Sequence, residues 1–212
     1  MMKLLVISGD YYHPSEVIVS GLNLLKNVDS ALDFTFTKEW DDFSKYDVVV
    51  LCKSDRVSES DEKTYMEGSF TKELLAYTKS GGGLLALHAG TVAPMTVEAL
   101  KPLVGCSFDH HPEQCVVHYA PVGDSSLVRH VKAFDEKDEH YFVNMAISDA
   151  DVFLSASSEA GIQPAGFSHQ FGLGRVVVLV PGHNAAVFQN PNQQALLLNA
   201  IHYCAKDGKD NA

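Results

Sequence analysis

The chain has 212 residues, 46% of them hydrophobic and 20% charged, which suffices for one sizeable core and reads as a single globular domain, 1–206, with a polar tail, 207–212. The formal net charge of −11 argues against nucleic acid and anionic membranes as partners, because any basic patch would form against the overall field. No apolar run approaches the roughly 20 residues needed to span a bilayer, and "MMKLLVISGD" reads as a first strand rather than an export signal, so a cytoplasmic protein is expected.

In chain order, "KLLVIS" (3–8) predicts a strand and "HPSEVIVSGLNLLKNV" (13–28) a helix with Pro14 near its first turn. "DFTFT" (33–37) alternates with period two, and "DVVVLC" (47–52) is a continuous apolar strand suited to burial on both faces. Residues 60–83 carry acidic groups early, basic groups late and a glycine stop, the chemistry of a helix. "LLALH" (84–88) follows as a strand. This alternation predicts an α/β fold, a doubly wound, mostly parallel sheet with helices on both faces.

The second half is less regular. Strands are expected at 114–122 and 150–156, with loop and short helix between them at 126–143. "AGFSHQF" and "RVVVLVPG" flank Gly172-Leu173-Gly174, the signature of an added β-hairpin. Residues 192–206 form an apolar-striped helix. The glycine clusters at 81–83 and 172–174 precede strands rather than helices and are turns, not phosphate cradles. Cys52, Cys106, Cys115 and Cys204 form no CxxC pair and read as free thiols. Homo-oligomers are common among acidic domains of this size, and no segment marks an interface.

Ligands of a doubly wound sheet bind outside the carboxyl ends of its strands. Asp10, Tyr11, Tyr12 and His13 follow the first strand, His88 ends the fourth, and His183 and Asn184 follow the last. Topology therefore predicts that three distant imidazoles meet at one rim. Taken alone, His13 would be a hydrogen-bonded structural residue, and His110, His118, His130 and His202 read as residues without chemistry. "Ala86-Leu87-His88-Ala89-Gly90" has the spacing of a nucleophile elbow, where small neighbours permit a sharp strand-to-helix turn. His13, His88 and His183 with a carboxylate are also candidate ligands for zinc or a similar divalent metal. They come from separate loops without HxH or HExxH spacing, so this reading ranks below a metal-free pocket, and no cofactor is firmly expected.

The segments "GGGLLALHAG", "Asp138-Glu139-His140-Tyr141" and "GLGRVVVLVPGHN", followed by "LLLNAIHYC", resemble the ThuA-like (trehalose utilisation) family across nearly the whole chain. That resemblance implies the flavodoxin-like fold of class I glutamine amidotransferase domains. A working amidotransferase would carry cysteine at the elbow and His-Pro-Glu after the late strand. Here His88 occupies the elbow and His183 is followed by Asn184 and Ala185, so glutaminase activity is not expected.

The resemblance further implies a role in carbohydrate use, on a disaccharide or keto-sugar. It makes His88, Glu139 and His183 the candidate catalytic residues, acting by general acid–base chemistry near pH 7. Tyr12, His13, His111, Tyr141 and Asn184 become candidate binding residues for a small carbohydrate. Asp135, Glu136 and Asp138 read as a solvated acidic turn. No second carboxylate stands evidently opposite Glu139, which disfavours a paired-carboxylate glycosidase. The alternatives are a non-catalytic sugar- or partner-binding module and a metal-dependent hydrolase.

Overall fold

Continuous apolar runs form the middle of a nine-stranded sheet in a computed structural model that describes residues 1–55, 66 and 68–205. The first half of the chain gives β1 (Met2–Ser8), α1 (Ser15–Leu24), β2 (Leu32–Thr37), β3 (Val48–Cys52), α2 (Ser69–Lys79) and β4 (Gly83–Leu87). Two one-turn helices, α3 (Ala93–Thr96) and α4 (Lys101–Val104), lead into β5 (Cys106–His110) and β6 (Cys115–Pro121). The chain then forms β7 (Phe134–Asp138), β8 (Phe142–Met145), β9 (Asp151–Ser158), β10 (Gly161–Phe171) and β11 (Gly174–Leu179), and closes with α5 (Ala185–Gln189) and α6 (Pro191–Cys204).

The strand order is β2-β1-β3-β4-β11-β10-β9-β6-β7. The first five strands run parallel and the last four antiparallel. Alternate residues of the parallel strands enter cores on opposite faces, so apolar residues at every position are accounted for. Leu4 and Val6 belong to one core that also holds Ile18 and Leu22 of α1 and Leu196 and Leu197 of α6. Leu5 and Ile7 pack with Phe70 and Leu74 of α2 on the other side. This is the predicted α/β architecture.

Register brings the strand ends level. Ser8 lies opposite Cys52, and Leu87 opposite Leu179. The residues that follow these four positions therefore emerge side by side, at the edge where β1 and β3 diverge in connectivity and where α/β sheets place ligands.

Several details differ from the sequence expectation. The predicted hairpin exists as β10 and β11, but it is only the start of an antiparallel extension that also takes in β9, β6 and β7. The interval 126–143, expected as loop and short helix, supplies strands β7 and β8, with one helical turn at Ser126–Val128. β7 sits at the sheet edge, where "FDEKD" keeps its charges in water on one side, so its pattern does not look like a core strand. Pro14 caps the start of α1, near its first turn as expected, but α1 tightens after Leu24 into a 3₁₀ turn at Leu25–Asn27. The first part of the predicted helix 60–83, residues 60–65 and 67, and the predicted tail 207–212 lie outside the described residues. No helix among the described residues is long and apolar enough to cross a membrane.

Candidate functional site

His88 stands directly after β4 with φ of +44°, a left-handed conformation that costs energy in any residue with a Cβ. Gly90 allows the turn, because a Cβ there would come within 2.1 Å of the Leu51 carbonyl oxygen. The sharp elbow read from the sequence is therefore present. Its imidazole is 1% exposed, and its Nδ1 lies 2.8 Å from the Val180 carbonyl oxygen. A carbonyl only accepts, so Nδ1 carries the proton and Nε2 points away, toward Glu139 Oε2 at 3.5 Å.

Two further imidazoles arrive at the same place. His13 follows β1, and its Nδ1 lies 2.8 and 3.0 Å from the two Asp10 carboxylate oxygens. Asp10 is itself fixed by the backbone N–H groups of Tyr12, His13 and Ser54. His13 Nε2 accepts from the Tyr141 hydroxyl at 3.1 Å. His183 follows β11, and its Nδ1 lies 3.0 Å from Glu139 Oε2, close but not aligned as a hydrogen bond. The three ring centroids are 5.2, 5.4 and 5.4 Å apart, with interplanar angles of 77°, 77° and 67°, so the rings meet edge-on rather than stacking.

Charge follows from this packing. Burial alone would raise the Glu139 carboxyl, but the close approach of the His183 and His88 imidazoles holds it well below the usual carboxylate range. Burial works downward on His183, and the Glu139 carboxylate more than offsets it, so His183 holds its proton more firmly than a free histidine. Burial lowers His13, helped by His88 and His183 and opposed by Asp10. Burial and the Glu139 and Asp10 charges keep the Tyr141 phenol protonated.

Beside the cluster lies a cavity of about 350 Å³ lined by Tyr12, His13, Phe108, His111, Glu139 and Tyr141, together with Ser54, Asp55, Val92, Met95 and Thr96. Tyr141 stacks between the rings of His88 and His111, at centroid distances of 4.0 and 5.5 Å. His111 Nε2 is 3.8 Å from Glu139 Oε2. The predicted residues Tyr12, His13, His88, His111, Glu139, Tyr141 and His183 therefore share one neighbourhood. Asn184 does not line the cavity: its side-chain amide donates to the Lys137 carbonyl and to Gln114, and its backbone N–H to Asp138.

The roles of three carboxylates escaped the sequence reading. Asp138, expected in a solvated turn, is fully buried and accepts from the backbone N–H groups of Gly182, His183 and Asn184 at 2.9, 3.1 and 3.3 Å. It holds the loop that presents His183. Asp10 fixes the His13 tautomer; the Asp-x-x-His spacing after a first strand was the available signal. Asp55, buried in the cavity wall, accepts from the Thr96 hydroxyl, and no local pattern marked it.

Cys52 packs near the elbow, where burial, reinforced by the Asp10 charge, pushes its thiol far above the usual range. A buried, protonated thiol is no substitute for the missing nucleophile. Fold and site together thus define a class I glutamine amidotransferase-like domain whose elbow carries imidazole in place of sulfur. Comparison with known proteins narrows this. A family model described as "ThuA: Trehalose utilisation" matches residues 3–204, and the chain belongs to that family. A ThuA-like protein from Parabacteroides merdae superposes with a TM-score of 0.80 at 20% identity, covering 100% of this chain and 92% of that one. Another from Bacteroides uniformis gives 0.71 at 17% identity, covering 97% and 92%. The β-galactosidase of a Rahnella species gives 0.67 at 13% identity, covering 94% of this chain and 30% of that one, a likeness of fold alone. No curated protein matches the sequence.

Proposed function

We propose that this protein is a cytoplasmic enzyme of carbohydrate utilisation that binds a small sugar, a disaccharide or keto-sugar, in the cavity beside Glu139. The carrying observation is the meeting of three imidazoles and one ionised carboxylate against a cavity of about 350 Å³, at the carboxyl ends of the strands. Family membership supports the carbohydrate assignment. The free cysteines support a reducing compartment, and the net charge of −11 disfavours nucleic acid and anionic membranes.

The cavity suits a sugar because its lining combines apolar side chains, Val92, Met95 and Phe108, with the polar groups of His13, His111 and Glu139. Tyr12 and His111, both partly exposed lining residues, would supply hydrogen bonds to sugar hydroxyls. Proton transfer beside a sugar carbonyl, as in hydrolysis or isomerisation of a keto-sugar, fits the His88–Glu139–His183 centre. A glutaminase reaction does not, for want of a thiolate.

The test is turnover of a panel of disaccharides and their keto derivatives by the wild type, His88→Ala and Glu139→Gln. The expected result is product with wild type and a loss of at least about 100-fold in each variant that circular dichroism shows to be folded. Equal activity in all three would overturn the assignment of the centre. Sugar-induced stabilisation without product would make the protein a binding module.

A further inference from the structure

We infer that His13, His88, Glu139 and His183 form a binding site for one divalent transition-metal ion. The inference deepens the proposed function, since it concerns the same cluster, but its argument uses no property of the sugar.

The first observation is convergence. One donor atom from each of the four residues lies within 4.8 Å of the other three. A tetrahedral ion with bonds of about 2.0–2.1 Å holds its ligand atoms about 3.3 Å apart, so only a small contraction is required. His88 Nε2 and His183 Nδ1 already stand 3.5 and 3.0 Å from Glu139 Oε2.

The second observation is the direction of the lone pairs. The Val180 carbonyl takes the Nδ1 proton of His88, and the Asp10 carboxylate takes that of His13. In their neutral forms both rings must therefore aim an unprotonated Nε2 into the cluster. His88 Nε2 and His183 Nδ1 are buried there without any hydrogen-bond partner, in a ring that is 1% exposed in the case of His88. Buried nitrogens of this kind carry a desolvation cost of about 1–3 kcal/mol each unless something occupies them. A cation satisfies all of them at once, whereas a proton at His183 satisfies only the pair it shares with Glu139.

The third observation lies outside the four ligands. Asp10 behind His13 and the Val180 carbonyl behind His88 accept the ring protons of these imidazoles, the supports that orient metal-binding histidines and strengthen them as donors, while Asp138 fixes the backbone of the loop that presents His183. An isolated general base needs one such support; here two imidazoles have one each, and the third is carried by a loop tied down through its backbone. Three nitrogens and one oxygen suit zinc, and also manganese, iron or cobalt. Tyr141 would give up its bond to His13 Nε2 and stand beside the ion, next to the cavity.

The experiment uses the full chain, stripped with a chelator and titrated with Zn²⁺ and, separately, Mn²⁺, by calorimetry and by elemental analysis after equilibrium dialysis. No sugar is present, so failure here and failure of the carbohydrate reading are distinguishable. One ion per chain is expected, with a Kd below about 1 µM. His88→Ala and Glu139→Gln should each weaken binding at least about 100-fold. Asp10→Asn, which touches no ion, should weaken it about 10- to 100-fold through the tautomer of His13. His118→Ala, a surface histidine paired with Asp135, should change nothing. If His88→Ala fails to fold by circular dichroism, Glu139→Gln, Asp10→Asn and the wild-type stoichiometry decide. Absence of any ion bound more tightly than about 10 µM to wild type overturns the inference. So does undiminished affinity in the folded variants.

Discussion

Asp138 gathers four donors in a fully buried position: the backbone N–H groups of Gly182, His183 and Asn184, and the Tyr119 hydroxyl at 3.2 Å. Removing the carboxylate leaves those groups buried and unpaired, each at a cost of about 1–3 kcal/mol, partly relieved by water or rearrangement. Asp138→Ala is therefore expected to lose at least about 3 kcal/mol in urea unfolding. Asp135→Ala, three residues away on the exposed edge, should stay within about 0.5 kcal/mol of wild type. A second residue-scale prediction concerns pH in the metal-free chain. The raised pKa of His183 contributes stability that is present below its unfolded value and lost as pH rises through the folded one. The lowered pKa of His13 acts the other way, removing stability as pH falls below about 6.5. Glu139→Gln deletes the partner that raises His183 and leaves the lowering effects in place. Its melting temperature should therefore fall more steeply than that of wild type between pH 7 and pH 5, and parallel curves would refute the pairing.

Elements place these residues, and the elbow shows how much of that was legible. Small residues after a buried strand announced a sharp turn at His88, and β4 with its left-handed successor is that turn. Gly90→Ala should accordingly lose about 1–3 kcal/mol or more, since the new methyl meets the backbone of β3 rather than a yielding side chain; soluble expression with an unchanged melting temperature would contradict the packing. The parallel strands were equally readable, because burial on both faces demands unbroken apolar runs. β5, β7 and β8 were not. β7 lies at the sheet edge and spends its outward positions on Asp135 and Lys137, while among the described residues β5 and β8 pair only with each other. Neither situation requires a continuous apolar stretch. The same distinction applies to the site. That His13, His88 and His183 would meet followed from strand order alone, but which ring nitrogen faces inward depends on Val180 and Asp10, contacts settled only by register and loop geometry. Glu139 and Tyr141 were reached through family resemblance, since nothing in "DEKDEHY" separates the buried acids from the solvated ones.

At the scale of the molecule, one sheet joins a parallel half that carries His13 and His88 to an antiparallel half that carries Asp138 and Glu139's segment, and His183 follows the strand at the junction. The site exists only if both halves fold against each other, so the chain should unfold as one cooperative unit. Its thiols report on this directly. Cys52 in β3, Cys106 in β5 and Cys204 in α6 are buried, and burial pushes the Cys106 and Cys204 thiols up to about 12 and that of Cys52 higher still. Cys115 on β6 is partly exposed. A thiol reagent at pH 8 should therefore modify one cysteine per native chain, at position 115. Pulsed labelling across a urea titration should then release Cys52 and Cys204 in a single transition, because β3 and α6 both pack on β4. Cys106 lies in the two-stranded β5–β8 sheet, yet its side chain belongs to the same core as β4 and β11 and should follow the others. Separate transitions for Cys52 and Cys106 would instead divide the molecule into independently opening units, with the imidazole cluster straddling the break.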